Sequence, residues 1–291
     1  MTTQQNTRLG IWLMIATALV FAMQDGISRH LAGEYNVFMI IMIRFWFFAA
    51  FVITLASRKA GGIRNAAHSK LPLVQGLRAA ILSVEILVAV AGFVILGLIA
   101  SHAVFAVYPL LVAALSGPVL GEKVGWRRWV AIGIGFVGVL IILKPGFGVF
   151  DVRALIPLLA AFLFAIYGLL TRFVSRQDDS AVSFFWTGTM GALITSAVGI
   201  WFWEPMTAQD WGWMGLLCLT SSFSHYLLIR AYEVAEASAI QPFAYLQLVF
   251  ASALGIMVFG ETLQSNVVVG AAIVVLAGLF TLWRTRLAEK R

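Results

Sequence analysis

The amino-acid sequence predicts an all-α integral membrane protein, with ten transmembrane helices arranged as two inverted five-helix repeats around a central cavity. The first observation is composition, because the 291 residues are 61% hydrophobic and 11% charged, whereas soluble chains are about one-quarter charged. The second is a run from Ile86 to Gly121 without Asp, Glu, Lys or Arg, and similar runs recur from Leu9 almost to the C-terminus. The third is an internal repeat, with an offset of 139 to 143 residues.

The apolar runs are long enough to be membrane-spanning helices, since about 20 apolar residues cross the roughly 30 Å hydrocarbon layer. Cutting the runs at charges and turn residues predicts ten spans. They begin near Gly10, Val37, Leu71, His102, Trp126, Val152, Ala181, Trp211, Ala237 and Ser265. Turns such as Lys144-Pro145-Gly146 separate them, because proline and glycine end helices. The connections are short, so we expect one membrane domain over residues 1–291 and no soluble head.

Basic residues predict the orientation of these spans. With both termini placed on the cytoplasmic side, fifteen Lys and Arg residues fall in inner segments and three in outer ones, namely Arg29, Lys144 and Arg153. Cytoplasmic loops retain Lys and Arg, so this arrangement is favoured. The net charge of +7 is explained in the same way, and we expect no binding of nucleic acid.

The repeat divides the chain into residues 8–146 and 151–286. Val119-Leu120-Gly121-Glu122 and Val258-Phe259-Gly260-Glu261 are 139 residues apart, and Phe21-Ala22 and Phe164-Ala165 are 143 apart. Because each unit has five helices, an odd number, the second unit enters the membrane with the opposite polarity. Inverted repeats of this kind are typical of secondary transporters, which bind substrate near the middle of the bilayer.

Ionisable residues within the spans are candidate gate residues, because a charge in hydrocarbon needs a partner or a wet cavity. At 1.5 Å per residue, Asp25, Arg44 and Glu85 fall in the outer third of the bilayer, where they could form an outer gate. A second group falls on the inner side and is predicted to surround an inner gate: Tyr167, Thr171, His225, Arg230 and Gln241. Alternatively, Arg44 and Glu85 form a structural ion pair. Arg44 and Arg78 are the two deep cations, and Glu85 competes for either.

Small polar and aromatic side chains are the candidate substrate ligands. They are Phe21, Gln24, Ser83, Tyr108, Tyr167, Ser221, Ser222, Tyr245 and Gln247. Aromatic rings give broad apolar contact, while serine and glutamine hydrogen-bond a polar head. This combination favours a zwitterion with an apolar side chain. The alternative is that these residues join neighbouring helices, as polar groups do in membranes.

Catalysis is not indicated by any motif of the sequence. His-Glu-x-x-His, the phosphate-binding Gly-x-x-x-x-Gly-Lys and Gly-x-Ser-x-Gly are all absent. Three of the four histidines, His30, His68 and His102, are predicted at or outside helix ends, and the lone Cys218 has no disulfide partner. We therefore expect no enzyme activity, no metal site and no cofactor.

Several segments carry a resemblance to a known family. They are Ala91-Gly92-Phe93 through Ala100-Ser101, the two Gly-Glu pairs, Arg230-Ala231-Tyr232 and Gln241 to Gln247. The chain resembles EamA-type ten-helix exporters of the drug/metabolite transporter superfamily, and is similar to YddG-type exporters of aromatic amino acids. The resemblance implies a bacterial inner-membrane protein that exports aromatic or other neutral amino acids by alternating access. It also implies that spans one, three, four, six, eight and nine surround the cavity.

Other functions on the same fold stay open. One is a proton-coupled drug or metabolite efflux carrier, with Asp25, Glu85 or His225 as proton carrier, and facilitated diffusion is the alternative to coupling. A nucleotide-sugar or phosphorylated-metabolite antiporter is less favoured, because phosphate groups need deep cations. A channel would require a selectivity filter that the sequence lacks. The partners we expect are a small-molecule substrate and the lipid bilayer, with the chain monomeric or a weak homodimer.

Overall fold

All regular structure is helical in the part of the chain that the computed structural model describes, which is residues 6–58, 62–121, 126–143, 153, 155–235 and 237–289. Besides a 3₁₀ turn at Ile200–Phe202, the elements are α1 (Thr7–Glu34), α2 (Val37–Ser57), α3 (Gly62–Ala67), α4 (Pro72–Leu96), α5 (Leu98–Phe105), α6 (Tyr108–Leu120), α7 (Trp126–Leu143), α8 (Leu155–Val174), α9 (Ser180–Gly199), α10 (Ala208–Val234), α11 (Ala237–Ala244), α12 (Leu246–Phe259) and α13 (Ser265–Glu289). Glu122 and the Lys144-Pro145-Gly146 turn, both used in the sequence predictions, lie outside the described residues.

Short polar residues begin several of these helices. The Asn6 side chain accepts a hydrogen bond from the backbone N–H of Leu9, and Asn36 accepts one from Phe38. Asp179 caps α9 in the same way. A cap satisfies a backbone donor that has no partner within the helix, so it fixes where the helix starts.

The predicted fourth and ninth spans are each divided into two helices. The fourth starts at Leu98 rather than near His102, and a turn at residues 106–107 separates α5 from α6. Pro109 stands at the start of α6, where its missing N–H does no harm. In the ninth span, Tyr245 stands between α11 and α12. Each of the two segments, Leu98–Leu120 and Ile240–Phe259, is still one membrane-length span, as the sequence predicted. Apolar periodicity does not register the one-residue or two-residue break within it.

Seven segments of the described chain are long and apolar enough to cross a membrane. They are Thr7–Glu34, Val37–Ser57, Pro72–Leu96, Leu98–Leu120, Leu155–Val174, Ser180–Phe202 and Ile240–Phe259. Two shorter apolar helices, Trp129–Ile142 and Ser265–Phe280, accompany them. Helix α10 has 27 residues, enough for about 40 Å, but its polar residues lower its hydropathy. Those residues, including Ser221, Ser224 and His225, are buried within the protein.

The helices pack in pairs that combine the two halves of the chain. α1 lies along α10, α4 along α8, α2 along α9, and α7 along α13. α1 also contacts α12, and α6 contacts α8. Glycine allows the closest of these approaches, since a Cβ added at Gly138 of α7 would lie 2.7 Å from the carbonyl oxygen of Gly270 on α13. The helix pairs leave a cavity between α1, α4, α5, α8, α10 and α12, into which Arg44 of α2 also reaches.

Candidate functional site

The central cavity is small, with about 40 Å³ of free volume. Its wall combines ionisable, amide and aromatic side chains with a few aliphatic ones. The lining residues are Phe21, Gln24, Asp25, Arg44, Glu85, Ile86, Ala89, Val90, Phe93, His102, Phe105, Phe164, His225 and Gln247. A mostly apolar cavity with a small number of convergent polar groups is the usual form of a small-molecule site.

Asp25 is held by amide and imidazole groups on one side of the cavity. Its Oδ2 accepts a 3.0 Å hydrogen bond from Gln247, and its Oδ1 accepts a longer one, 3.3 Å, from Gln24. The Oε1 atom of Gln24 accepts in turn from Ser224 at 3.0 Å. The Nε2 atom of His102 lies 3.3 Å from Asp25 Oδ2. Residues of α1, α5 and α12 therefore meet at one carboxylate, and α10 is joined to it through Gln24.

Arg44 enters the cavity from α2 and is held by α10. Its Nε donates to Ser221 Oγ, and its Nη2 lies 3.3 Å from His225 Nε2. A guanidinium can only donate, so Nε2 of His225 is the acceptor and this imidazole is neutral, with its proton on Nδ1. The Nη1 atom of Arg44 has no hydrogen bond to any described residue, which leaves a charged donor available to the cavity.

Glu85 places a second carboxylate in the same cavity wall. Its side chain is buried, yet it makes no hydrogen bond or ion pair with the described residues. The ion pair between Arg44 and Glu85 that the sequence suggested is therefore not formed, because Ser221 and His225 hold the guanidinium instead. A buried charge without a partner is costly, so an arrangement that leaves both groups available is suited to a charged ligand.

The other deep arginine, Arg78, is fully engaged away from the cavity. Its three nitrogens donate to Gln75, Tyr167, Thr171, Thr187 and the carbonyl oxygen of Ser183. Its exposed fraction is 0%. Arg78 thus joins α4 to α8 and α9, and every N–H of its guanidinium fork is directed at protein.

A third charged cluster lies where α1, α5 and α12 end or begin. The Glu261 carboxylate accepts 2.8 Å hydrogen bonds from the backbone N–H groups of Leu98 and Ile99, at the start of α5. It also pairs with Arg29, whose guanidinium lies over the ring of Phe259, 4.2 Å from its centroid. Gly97 adopts a φ of +85°, and a Cβ there would lie 2.8 Å from Glu261. We call Arg29, Gly97, Leu98 and Glu261 the α5 clamp.

Three of the predicted substrate ligands, Phe21, Gln24 and Gln247, line the cavity. Ser221 and Tyr167 do not, since each is bonded to a buried arginine. The remaining four lie behind the cavity wall. Ser83 donates to the carbonyl oxygen of Ala79, the Tyr108 ring packs on Phe164, the Tyr245 hydroxyl faces Gly278 of α13, and the Ser222 hydroxyl is buried without a partner among the described residues.

The predicted gate residues occupy three different places. Asp25, Arg44, Glu85 and His225 share the cavity, although His225 was expected nearer the inner side. Thr171 and Tyr167 belong to the Arg78 network. The other two lie elsewhere, with Arg230 paired to Glu233 and Ser180, and Gln241 donating to the Tyr232 hydroxyl at 2.9 Å. The residues predicted for the inner gate therefore join different helix ends and do not form one cluster.

Sequence reasoning missed His102 and three aromatic residues of the cavity wall. His102 was expected at a helix end, but it lies within α5 and its side chain is 2% exposed. Its ring stacks on Phe93, with centroids 5.1 Å apart, and meets the edge of Phe105. The sequence feature that could have placed His102 correctly was Gly97. A helix that begins directly after this glycine has His102 in its second turn rather than at its first residue.

These helices define a multi-pass membrane protein with an internal cavity. The family model described as the EamA-like transporter family matches residues 8–144 and, a second time, residues 153–283. The chain therefore belongs to the EamA-like transporter family of the drug/metabolite transporter superfamily, as the sequence resemblance indicated.

Relatives of known name are also transporters. An S-adenosylmethionine uptake transporter of Rickettsia prowazekii is 25% identical over 94% of this chain and 92% of its own length. A riboflavin transporter of Vibrio cholerae is 26% identical over 100% of this chain and 98% of its own. A pseudopaline exporter of Pseudomonas aeruginosa is 22% identical, over 92% and 94%. The chain is thus similar to transporters of small molecules.

The fold has also been seen in a crystal. One crystal structure superimposes with a TM-score of 0.69 and 14% sequence identity, covering 94% of this chain and 96% of the other. At that identity the likeness concerns the fold alone.

Proposed function

We propose that this chain is a secondary transporter for small metabolites that combine an α-amino-acid head with a flat apolar group. The observation that carries the proposal is the central cavity, where the Arg44 guanidinium and the Glu85 carboxyl group face the same space without pairing to each other. The substrate carboxylate binds Arg44 Nη1, and the substrate ammonium binds Glu85. Each charge then gains the partner that a low-dielectric site requires.

The rest of the cavity wall suits the apolar part of such a substrate. Phe21, Phe93, Phe105 and Phe164 surround the charged groups, and flat rings pack on one another by stacking or edge contacts. Aromatic amino acids satisfy both requirements, which supports the amino-acid export that the sequence suggested. S-adenosylmethionine, named for the Rickettsia relative, also has an amino-acid head and a flat base. Riboflavin has the flat ring but no amino-acid head.

Phosphorylated substrates fit this cavity poorly. Among the described residues that line it, Arg44 is the one permanent cation, and Asp25 and Glu85 are two carboxylates. A nucleotide sugar brings two phosphate charges into a site that already holds negative groups. The resulting repulsion in a low dielectric disfavours the nucleotide-sugar alternative.

Alternating access through an inverted repeat is the proposed mechanism. Two successive matches of one family model support the duplication. The helix pairs support the inversion. If α1, α2, α4 and α7 of the first half correspond to α8, α9, α10 and α13 of the second, exchanging the halves turns the α1–α10 pair into the α8–α4 pair. The same exchange leaves the α2–α9 and α7–α13 pairs unchanged. Ten spans with both termini cytoplasmic, in a bacterial inner membrane, complete the proposal. Reporter tags at the two ends test the topology, and tags on opposite faces would contradict it.

The substrate class is tested with purified protein in lipid vesicles. We expect counterflow of labelled phenylalanine, tryptophan or S-adenosylmethionine, in which unlabelled substrate inside accelerates entry of the label. We expect no counterflow of riboflavin or of a nucleotide sugar. A channel would show no acceleration, and exchange of the nucleotide sugar alone would refute the proposal.

Variants of the two unpaired charges test the binding mode. Arg44→Lys and Glu85→Gln each remove one charged hydrogen bond, which is worth about 1.5 to 3 kcal/mol and so raises KM by about 10-fold to 100-fold. Arg58→Lys and Glu34→Gln are matched controls, because both side chains are exposed away from the cavity. Unchanged KM in both cavity variants would remove Arg44 and Glu85 from the site.

A further inference from the structure

The imidazole of His102 faces a carboxylate, yet its Nε2 atom is buried without a hydrogen bond to any described residue. That nitrogen lies 3.3 Å from Asp25 Oδ2, a distance short enough for a hydrogen bond if the geometry tightens slightly. The ring cannot move freely away, because it is stacked on Phe93 and closed in by Phe105. His102 and Asp25 are thus held facing each other across a small gap.

The interaction between the two side chains depends on a proton. With Nε2 unprotonated, its lone pair faces the lone pairs of an ionised carboxylate and the contact is repulsive. One added proton makes Nε2 an N–H donor 3.3 Å from Oδ2, and a small rotation of the ring aligns it into a charge-assisted hydrogen bond. The contact between the two side chains is therefore repulsive without a proton at Nε2 and attractive with one.

His225 provides an internal contrast. It lies in the same cavity, but Arg44 donates to its Nε2, so a proton at that nitrogen would be directed at a guanidinium. His225 is thereby fixed in the neutral form. The two histidines of the cavity are held in opposite electrostatic surroundings.

We propose that Asp25 and His102 form a proton-binding site that couples transport of the substrate to an opposing flow of protons. The inference rests on the proposed function, because it assumes a cationic substrate group at Glu85. A proton at the Asp25–His102 pair and an ammonium at Glu85 place two positive charges in one small cavity, so each disfavours the other. Binding of substrate then releases the proton, and release of substrate allows its return.

The chemical step is a simple protonation. A proton from water on one side adds to Nε2 and is shared with Oδ2, and it returns to water on the other side. No other bond forms or breaks. With protons entering the cell down their gradient, this exchange drives the substrate outward, in the direction of export.

The charged and titratable neighbours of the site come from several helices. On α1, Arg29 lies one turn from Asp25 and pairs with Glu261, which also binds the start of α5. Tyr108 of α6 packs on Phe105, with ring centroids 5.2 Å apart.

α2 contributes Arg44 to the cavity, α4 contributes Glu85 and α10 contributes His225. α8 and α12 contribute Phe164 and Gln247, which do not titrate. α7, α11 and α13 also pack against α1 or α5, but no described side chain of theirs lines the cavity.

Proton release on binding is the direct test. Purified wild-type protein in weakly buffered detergent solution is mixed with a substrate that it exchanges by counterflow, and a pH dye reports the change. We expect about one proton released per substrate bound. His102→Gln and Asp25→Asn should each reduce this number at least about fivefold per bound substrate, whereas Glu34→Gln should match the wild type.

Coupling is measured separately in vesicles, through the steady-state accumulation of substrate under an imposed pH gradient. This accumulation ratio reflects coupling rather than turnover rate, so a slow variant remains informative. We expect the wild type to concentrate substrate against a gradient, and His102→Gln to equilibrate it without concentration. Glu85→Gln should weaken substrate binding, whereas the accumulation of substrate should still depend on the pH gradient.

The outcomes separate the two proposals. Absence of counterflow in the wild type would refute the proposed function. Counterflow without proton release and without response to a pH gradient would overturn the proton site alone, as would a His102→Gln variant with wild-type proton release. If His102→Gln fails to fold, imidazole nitrogen NMR of the wild-type protein decides, because substrate must change the protonation of His102 and leave His225 neutral.

Discussion

The Oε1 atom of Glu261 accepts a 2.8 Å hydrogen bond from the backbone N–H of Leu98, at the first residue of α5. The two residues come from opposite halves of the chain. Because a helix N-terminus has unsatisfied N–H groups and partial positive charge, a carboxylate at this point stabilises the start of α5. The α5 clamp therefore fixes the helix that carries His102 into the cavity wall.

We predict that Glu261→Ala lowers the free energy of unfolding by about 2 to 4 kcal/mol, since it leaves two buried N–H donors and Arg29 without their acceptor. Thermal unfolding of the purified protein, followed by tryptophan fluorescence, measures the change. Glu34→Ala is the matched control, because Glu34 is exposed and makes no ion pair in the described structure. Equal melting temperatures for the two variants would show that the clamp contributes nothing to stability.

Gly97 provides a second test of the same region. Alanine there would have to adopt φ of +85° with its Cβ 2.8 Å from Glu261, and the left-handed strain alone costs about 1 to 2 kcal/mol. Gly97→Ala should therefore lower the melting temperature. Gly76→Ala, within α4 and with no atom near an added Cβ, should be neutral or stabilising by up to about 1 kcal/mol. The opposite ranking would show that Gly97 is not constrained.

The two buried arginines are predicted to differ in what they support. Arg78→Lys loses the planar fork that reaches Tyr167, Thr171 and Thr187 together, and lysine cannot replace it. We expect a loss of stability of about 3 to 5 kcal/mol with little change in the KM of the folded fraction. Arg44→Lys should show the reverse, a raised KM and a small change in stability. Parallel melting curves and transport kinetics of the two variants measure this split.

The sequence predicted the helices better than it predicted the site. Charge-free runs locate apolar helices because the cost of a charge in hydrocarbon is large and local, and helices occupy every predicted interval. Depth along a helix also placed Asp25, Arg44 and Glu85 near one another. What depth cannot give is the direction in which a side chain points around the helix axis, and Ser83 and Tyr245 point away from the cavity for that reason.

His102 shows where the missing information lies. Its inclusion in the cavity depends on Gly97 ending α4 and on Glu261, 159 residues beyond His102, starting α5. A contact between the halves of the chain thus decides the local position of the residue. Sequence periodicity within α5 could not reveal it, because the eight residues of this helix are apolar except for Ser101 and His102.

The pairing of α7 with α13 leads to a last prediction, which concerns glycine on a face remote from the cavity. A Cβ at Gly138 would lie 2.7 Å from Gly270, so Gly138→Ala forces the helices apart and costs about 1 to 3 kcal/mol. Gly133→Ala is the matched control, since nothing lies within 4 Å of its added Cβ. Neither helix contributes a described residue to the cavity, so substrate KM should be the same in both variants. A raised KM in Gly138→Ala with an unchanged melting temperature would mean that α7 and α13 move during transport rather than supporting the fold.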